Sequence, residues 1–150
     1  MELLLFLIGG GVYILLEVLW RGYTHWTMFV LGGASFVVLG LLNEFKIPWH
    51  WCLLRQAFVG ACVVTVFEFL AGCIVNLWLG WDVWDYSDLP FNLLGQICLY
   101  FFLLWIPLCM VGIVLDDWIR YWRYLLVKKW YPWWDFEHEK PRERPRYRLI

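Results

Sequence analysis

The chain has 150 residues, of which 63% are hydrophobic, 21% aromatic and only 17% charged, with a mean hydropathy of +0.62. A soluble core of this length has no use for so much apolar material, so composition excludes a soluble globular domain and makes lipid the expected solvent. Lys+Arg 12 against Asp+Glu 13 leaves a formal net charge of −1, so charge informs only through its placement.

Four apolar stretches follow one another, near residues 3–20, 26–43, 57–80 and 93–115. Each approaches the length of about 20 apolar residues that a membrane span needs. None alternates as a strand would, and backbone groups in lipid must pair internally, so helices are the expected form. The first stretch does not read as a signal peptide, because Met1 and Glu2 give no positive n-region and no small-residue cleavage site follows. The expected fold is all-α: a polytopic membrane four-helix bundle over 1–115, then a cytoplasmic amphipathic helix and flexible tail over 116–150.

Orientation follows from the basic residues. Most lie after Leu115, and Lys46 and Arg55 sit between the second and third stretches. The segment between the third and fourth carries Asp82, Asp85 and Asp88 and no Lys or Arg. The positive-inside rule then puts both termini in the cytoplasm of a multi-pass cell-membrane protein, with Arg21 the one outward exception. Trp78, Trp81 and Trp84 are expected in the outer interfacial belt, and Trp49, Trp51, Trp118 and Trp122 in the inner one.

Glu68 lies midway along the third stretch, where an ionised side chain costs about 2.5–3.5 kcal/mol. Ala61, Thr65, Glu68, Gly72 and Asn76 recur at helical spacing as one small-and-polar stripe, and such stripes face neighbouring helices. Gly10, Tyr13, Glu17 and Arg21 do the same in the first stretch, with Glu17 and Arg21 spaced for an i, i+4 ion pair. The fourth stretch opens with Asn92 and Gln96 on one face, and Pro107 is a candidate kink lower down. The two halves also resemble each other: Glu17-Val-Leu matches Glu68-Phe-Leu, and Phe29-Val-Leu-Gly-Gly resembles Phe91-Asn-Leu-Leu-Gly-Gln. Repeats of this kind place transporter sites at the repeat interface, although two apolar hairpins can look alike by chance.

Arg21, Thr24 and His25 share a side with the segment 81–92, and Asp85 is the expected partner of the Arg21 fork. Asp85-Tyr86-Ser87 can form an Asx turn, and Asn92 after Pro90 can cap the next helix. Four uses of this set are open. Proton-coupled movement could employ Glu68, Glu17 and His25; acid–base or metal-assisted hydrolysis could employ His25 with Asp82 and Asp85. A polar headgroup could bind Arg21 and the aromatic residues. The plainer use is a structural ion-pair cap. No metal spacing, Gly-rich phosphate loop or nucleophile elbow is present. The cysteines Cys52, Cys62, Cys73, Cys98 and Cys109 form no CxxC pair and read as small apolar side chains, without a disulfide or a metal.

The same residues carry a family resemblance. Residues 11–28 (GVYILLEVLWRGYTHWTM), Glu68-Phe-Leu-Ala-Gly72 with Asn76, Trp84-Asp-Tyr-Ser87, Pro90, Asn92 and Gly95-Gln-Ile-Cys98 resemble the bacterial family of CmpB-like, type IV ABC-transporter permeases. The resemblance covers roughly residues 9–117 and implies a small four-helix membrane protein without naming a substrate. An ABC permease engages a nucleotide-binding partner, and this chain has no Walker A sequence, so any ATPase is a separate protein.

After Leu115 the composition changes. Residues 116–130 read as a helix on the inner leaflet, with Arg120, Arg123, Lys128 and Lys129 toward headgroups. Residues 131–134 read as a break, and 140–150 as a tail without fixed structure. Nucleic-acid binding by the Arg-rich tail has no other support, and inner-leaflet anchoring accounts for the same charges. The reading is thus a permease-like or accessory transport protein, a homo-oligomer with a possible ATPase subunit and no cofactor. Its polar core or substrate path comprises Glu17, Arg21, His25, Glu68, Asn76, Asp85, Tyr86, Asn92 and Gln96. The alternatives are a structural or regulatory membrane protein and, third, a membrane-embedded enzyme.

Overall fold

The structure is a computed structural model that describes residues 1–45 (side chains to 41), 52–130 and 144–149. Among these residues the fold is all-α apart from one two-stranded ribbon. Helix α1 spans Glu2–Arg21, α2 Trp26–Phe45, α3 Leu53–Gly72 and α4 Leu99–Trp130. A π-helical turn, Cys73–Trp78, prolongs α3. Three stretches, Glu2–Arg21, Leu53–Trp78 and Leu99–Trp130, are long and apolar enough to cross a membrane, and the described apolar part of α2, Trp26–Leu41, is shorter.

Two antiparallel hairpins make the bundle: α1 packs on α2, and α3 on α4. Helix α2 is the element that touches both α3 and α4. The α1–α2 hairpin closes because aromatic rings fit glycine notches reciprocally. Phe36 and Phe29 fill the space over Gly9 and Gly10, and Tyr13 and Phe6 fill that over Gly32 and Gly33. Gly22 ends α1 in the left-handed region at φ 80°, where its N–H reaches the Val18 carbonyl at 2.8 Å. Between the hairpins, Leu39, Ala57, Ala61, Val64, Cys109 and Ile113 form the main apolar core.

The structure corrects several expectations. The fourth helix begins at Leu99, because residues 92–98 fold as a ribbon, β1 Asn92–Leu93 against β2 Ile97–Cys98. Leu94 and Gly95, with φ of 53° and 68°, turn the ribbon and cannot continue a helix. Helix α4 then runs through Pro107 and past Leu115 to Trp130 without interruption, so residues 116–130 are its continuation and not a separate element. Arg120 does not face headgroups: it is 6% exposed and paired with Asp116 and Glu2. Trp84 is 6% exposed and lies in a core cluster with Met28, Val75 and Val83, whereas Trp78 and Trp81 are exposed.

The end of the tail is also placed. The Arg148 carbonyl accepts the Leu53 N–H at 2.7 Å, satisfying one of the free donors at the start of α3. The Tyr147 hydroxyl donates to Asp117 Oδ2 at 2.9 Å, and Arg144 stands 5.6 Å over the Trp118 ring. Burial, then the Asp117 charge, raises the Tyr147 phenol well above its ordinary range, so it stays a donor. The expectations for Lys46, Trp49 and Trp51, for the break at 131–134 and for 140–143 lie outside the described residues.

The glycine notches make a stability prediction. A Cβ on Gly33 would stand 2.7 Å from the Phe6 carbonyl oxygen, which is backbone and cannot rotate away, whereas a Cβ on Gly11 meets nothing within 4 Å. Gly33→Ala should therefore destabilise the purified protein by about 1–3 kcal/mol. Gly11→Ala should leave it unchanged or gain about 0.5–1 kcal/mol from helix propensity. Matching melting curves for the two variants would show that the notch is not a tight contact.

Candidate functional site

The α3 stripe faces the bundle interior: Ala61, Glu68, Gly72 and Asn76 are buried and Thr65 is half-buried. Glu68 is 1% exposed. Its Oε1 accepts the Tyr86 hydroxyl at 3.0 Å and its Oε2 accepts the Trp105 indole N–H at 3.0 Å. Among the described residues no Lys, Arg or His forms an ion pair with it. The two donors belong to different elements, the 79–91 segment and α4, so one carboxylate fixes both against α3.

Aromatic rings surround this carboxylate. Tyr13 of α1 stacks on Trp105 with centroids 5.9 Å apart, and Tyr86 stacks on Phe101 at 4.5 Å. Below them lies a cavity of about 120 Å³ that draws on all four helices, with Gly9, Ser35, Phe36, Val64, Glu68 and Cys109 in its wall. Glu68, Ser35, Tyr13 and Trp105 carry the polar groups of a lining that is otherwise apolar. Burial, then the Glu68 charge, holds the Tyr86 phenol well above its ordinary range, so Tyr86 meets Glu68 as a donor.

A second polar layer sits above Glu68. The π turn carries Asn76, whose Oδ1 accepts the Val83 N–H at 2.8 Å. Its Nδ2 donates to the Trp84 carbonyl at 2.9 Å and to Gln96 Oε1 at 2.8 Å. The Trp84 indole N–H donates to the Gln96 carbonyl at 3.0 Å. Gly72 makes room for Gln96, since a Cβ there would lie 2.5 Å from Gln96 Oε1. Gly95 is required twice over: its φ is 68°, and a Cβ would stand 2.5 Å from Asp85 Oδ1.

A third group closes the end of α1. Arg21 Nη2 donates to Glu17 Oε1 at 2.6 Å, the pairing that the spacing predicts, and Glu17 Oε2 accepts the Thr24 hydroxyl. Arg21 Nη1 donates to the Val83 carbonyl at 2.9 Å, tying α1 to the 79–91 segment.

The expected single polar core is therefore divided. Asp85 does not pair with Arg21. It is exposed and accepts the Ser87 N–H at 2.8 Å and hydroxyl at 2.5 Å, forming the Asx turn. Those bonds hold its carboxyl below the ordinary range and keep it charged in water. Asn92 caps no helix: it is exposed and donates to the Ser87 and Leu89 carbonyls at 3.1 and 2.7 Å. His25 does not reach Glu68. Its Nδ1 lies 2.8 Å from the Thr27 hydroxyl at the start of α2, and its ring lies 5.5 Å from that of Trp81. Among the described residues no group of His, Cys, Asp and Glu could hold a metal ion.

Sequence reasoning missed two features. Trp105, the second donor to Glu68, has no signal beyond being an aromatic residue in an apolar run. The second is the cluster at the opposite end, where Arg120 Nε contacts both Asp116 oxygens at 3.1 and 2.9 Å and Arg120 Nη1 reaches Glu2 at 3.2 Å. Its i, i+4 spacing was visible in Asp116 and Arg120.

Asn76 gives a test of the middle layer. Asn76→Leu leaves the Val83 N–H without its partner in a buried site, at a cost of about 1–3 kcal/mol. Lower thermal stability and faster amide exchange at Val83 are expected. An unchanged melt with unchanged exchange would show that the layer does not hold the 79–91 segment.

A family model described as "Putative ABC-transporter type IV" matches residues 11–135, which include every residue of the three polar layers. No curated protein and no solved structure matches the chain. The match and the three long apolar helices make this a membrane protein of a transport-related family.

Proposed function

Because the chain belongs to the ABC-transporter type IV family, we propose that it is a permease-like subunit in which Glu68 lines the path between the two hairpins. The observation that carries this reading is a buried carboxylate without a cationic partner among the described residues, placed on a cavity built by all four helices. A carboxylate held only by neutral donors can exchange one of them for a ligand or a proton. Exchange at Oε1 frees the Tyr86 hydroxyl of the 79–91 segment, and exchange at Oε2 frees the Trp105 indole N–H of α4. Trp105 also stacks on Tyr13 of the first hairpin, so a local event at Glu68 reaches the packing of one hairpin on the other through that ring.

In this reading all four helices cross the cell membrane and both termini are cytoplasmic. The absence of Lys and Arg between residues 79 and 98 supports an outer position for that segment. ATP is hydrolysed by a separate subunit, since the chain has no Walker A sequence. Four helices leave little room for a private path, which supports assembly into a homo-oligomer.

Purification of the intact complex from its native membrane in mild detergent, followed by mass determination, tests the partner. A co-purifying ATPase is expected, and a complex without one removes the ABC reading. In reconstituted sealed vesicles, Glu68→Gln should abolish flux while the variant assembles and melts like the parent protein. One observation favours a second reading, a structural or regulatory membrane protein: both Glu68 oxygens and all described Asn76 bonds are satisfied within the chain. Failure of Glu68→Gln to assemble is the result that reading expects.

A further inference from the structure

The cavity beside Glu68 is not enclosed. Its wall includes Val12 and Leu16 of α1 and Val111 and Leu115 of α4, and these four are 42%, 46%, 57% and 41% exposed. They are the lips of a crevice between α1 and α4 that opens sideways, toward lipid in a membrane protein. Inside, the lining changes character. It includes the Glu68 carboxylate, the Tyr13 and Trp105 rings and Ser35 of α2. The Ser35 hydroxyl is buried and has no hydrogen-bond partner among the described residues.

We propose that this crevice binds an amphiphilic amine reached from the bilayer, with the protonated head against Glu68 and the apolar chain between the lips Val12, Leu16, Val111 and Leu115. The chemistry of the inner end selects the head. A carboxylate accepts at about four lone-pair sites, and the Tyr86 and Trp105 bonds take one on each oxygen. The lone pairs that remain accept only from donors, so an anionic head is repelled and a purely apolar one forms no bond there. A cationic head also supplies the countercharge that the described residues do not. The Ser35 hydroxyl gives the head a second acceptor. A cavity of about 120 Å³ holds a head and the start of a chain, so the remainder lies between the lips. An apolar helix of a second copy would fill the lips but leave Ser35 and the free Glu68 lone pairs without donors.

This inference deepens the transport reading and rests on it only for what happens after binding. The test is equilibrium binding of tritiated octylamine to the full chain in lipid nanodiscs, with octanol and octanoate as competitors. Saturable binding is expected, weakened about tenfold or more by Glu68→Gln through loss of a charge-assisted bond. Leu16→Trp, which narrows the lips without touching Glu68, should weaken it as well, with an unchanged melt. Should Glu68→Gln fail to fold, Leu16→Trp and the competitors carry the test. Equal binding to both variants overturns the site, and octanol competing as well as unlabelled octylamine overturns the amine head. A change in the mass of the complex on Leu16→Trp shows a second copy in the crevice and also overturns it. Amine binding without flux in sealed vesicles removes the transport reading and leaves the site, whereas flux of another solute without amine binding removes the site alone.

Discussion

Burying the Glu68 carboxylate without a cationic partner among the described residues is the constraint on which the rest of the arrangement depends. At the centre of a span an ionised group costs about 2.5–3.5 kcal/mol, and removing its donors in a dry interior costs more. The chain meets that cost with two neutral donors, from Tyr86 and Trp105. Neither can reach α3 unless its own element is in place. Tyr86 requires the 79–91 segment to fold back over the bundle, which in turn requires the Asn76 layer, the Gly95 turn and the Arg21 bond to Val83. Trp105 requires α4 to start at Leu99 and lie against α3, with the Tyr13 ring behind it. The small residues serve the same end: Gly72 admits Gln96, and the glycine pairs of α1 and α2 bring Tyr13 close enough to stack.

Much of the fold was legible because length and apolarity decide it. Helices α1 and α2 match the stretches read near 3–20 and 26–43 closely. The α3 stripe was legible too, since small and polar residues at helical spacing in an apolar run have nowhere to go except an interface. The 92–98 ribbon was not, and its failure is instructive. Asn92 and Gln96 are spaced like neighbours on a helix face, and the feature that excludes the helix is the left-handed pair Leu94 and Gly95. Leucine at φ 53° is uncommon enough that no propensity argument selects it.

The misplaced residues share one cause. Trp84, Asp85 and Arg120 were assigned by what each type does on average near a membrane surface, as belt, ion-pair partner and headgroup contact. Each is placed by a specific partner instead: the Gln96 carbonyl, the Ser87 turn and Asp116. Trp84 finds its partner 12 residues away, beyond any helical period. Arg120 differs, because Asp116 one turn before it was a visible candidate. The basic residues that follow it suggested a surface, yet a burial of 6% exposed is attainable because Asp116 and Glu2 both share its charge.

Arginines also tie the two hairpins together. Along the crevice α1 meets the second hairpin through the Tyr13–Trp105 stack and, at its two ends, through Arg21 and Arg120. These end ties are unequal. Arg21 holds a carbonyl of the 79–91 segment at 2.9 Å while its Glu17 partner is only 10% exposed, so the bond works in a low-dielectric site. Arg120 spends its strongest contacts on Asp116 within α4 and reaches α1 only through Glu2, which is 44% exposed and 3.2 Å away. Solvent at the half-open Glu2 carboxylate, together with salt, weakens that tie although Arg120 itself is buried. The crevice is thus closed firmly at the Glu68 end and loosely at the Glu2 end. The contacts that tie the two ends of the crevice are therefore separate from the Tyr86 and Trp105 bonds that hold the carboxylate.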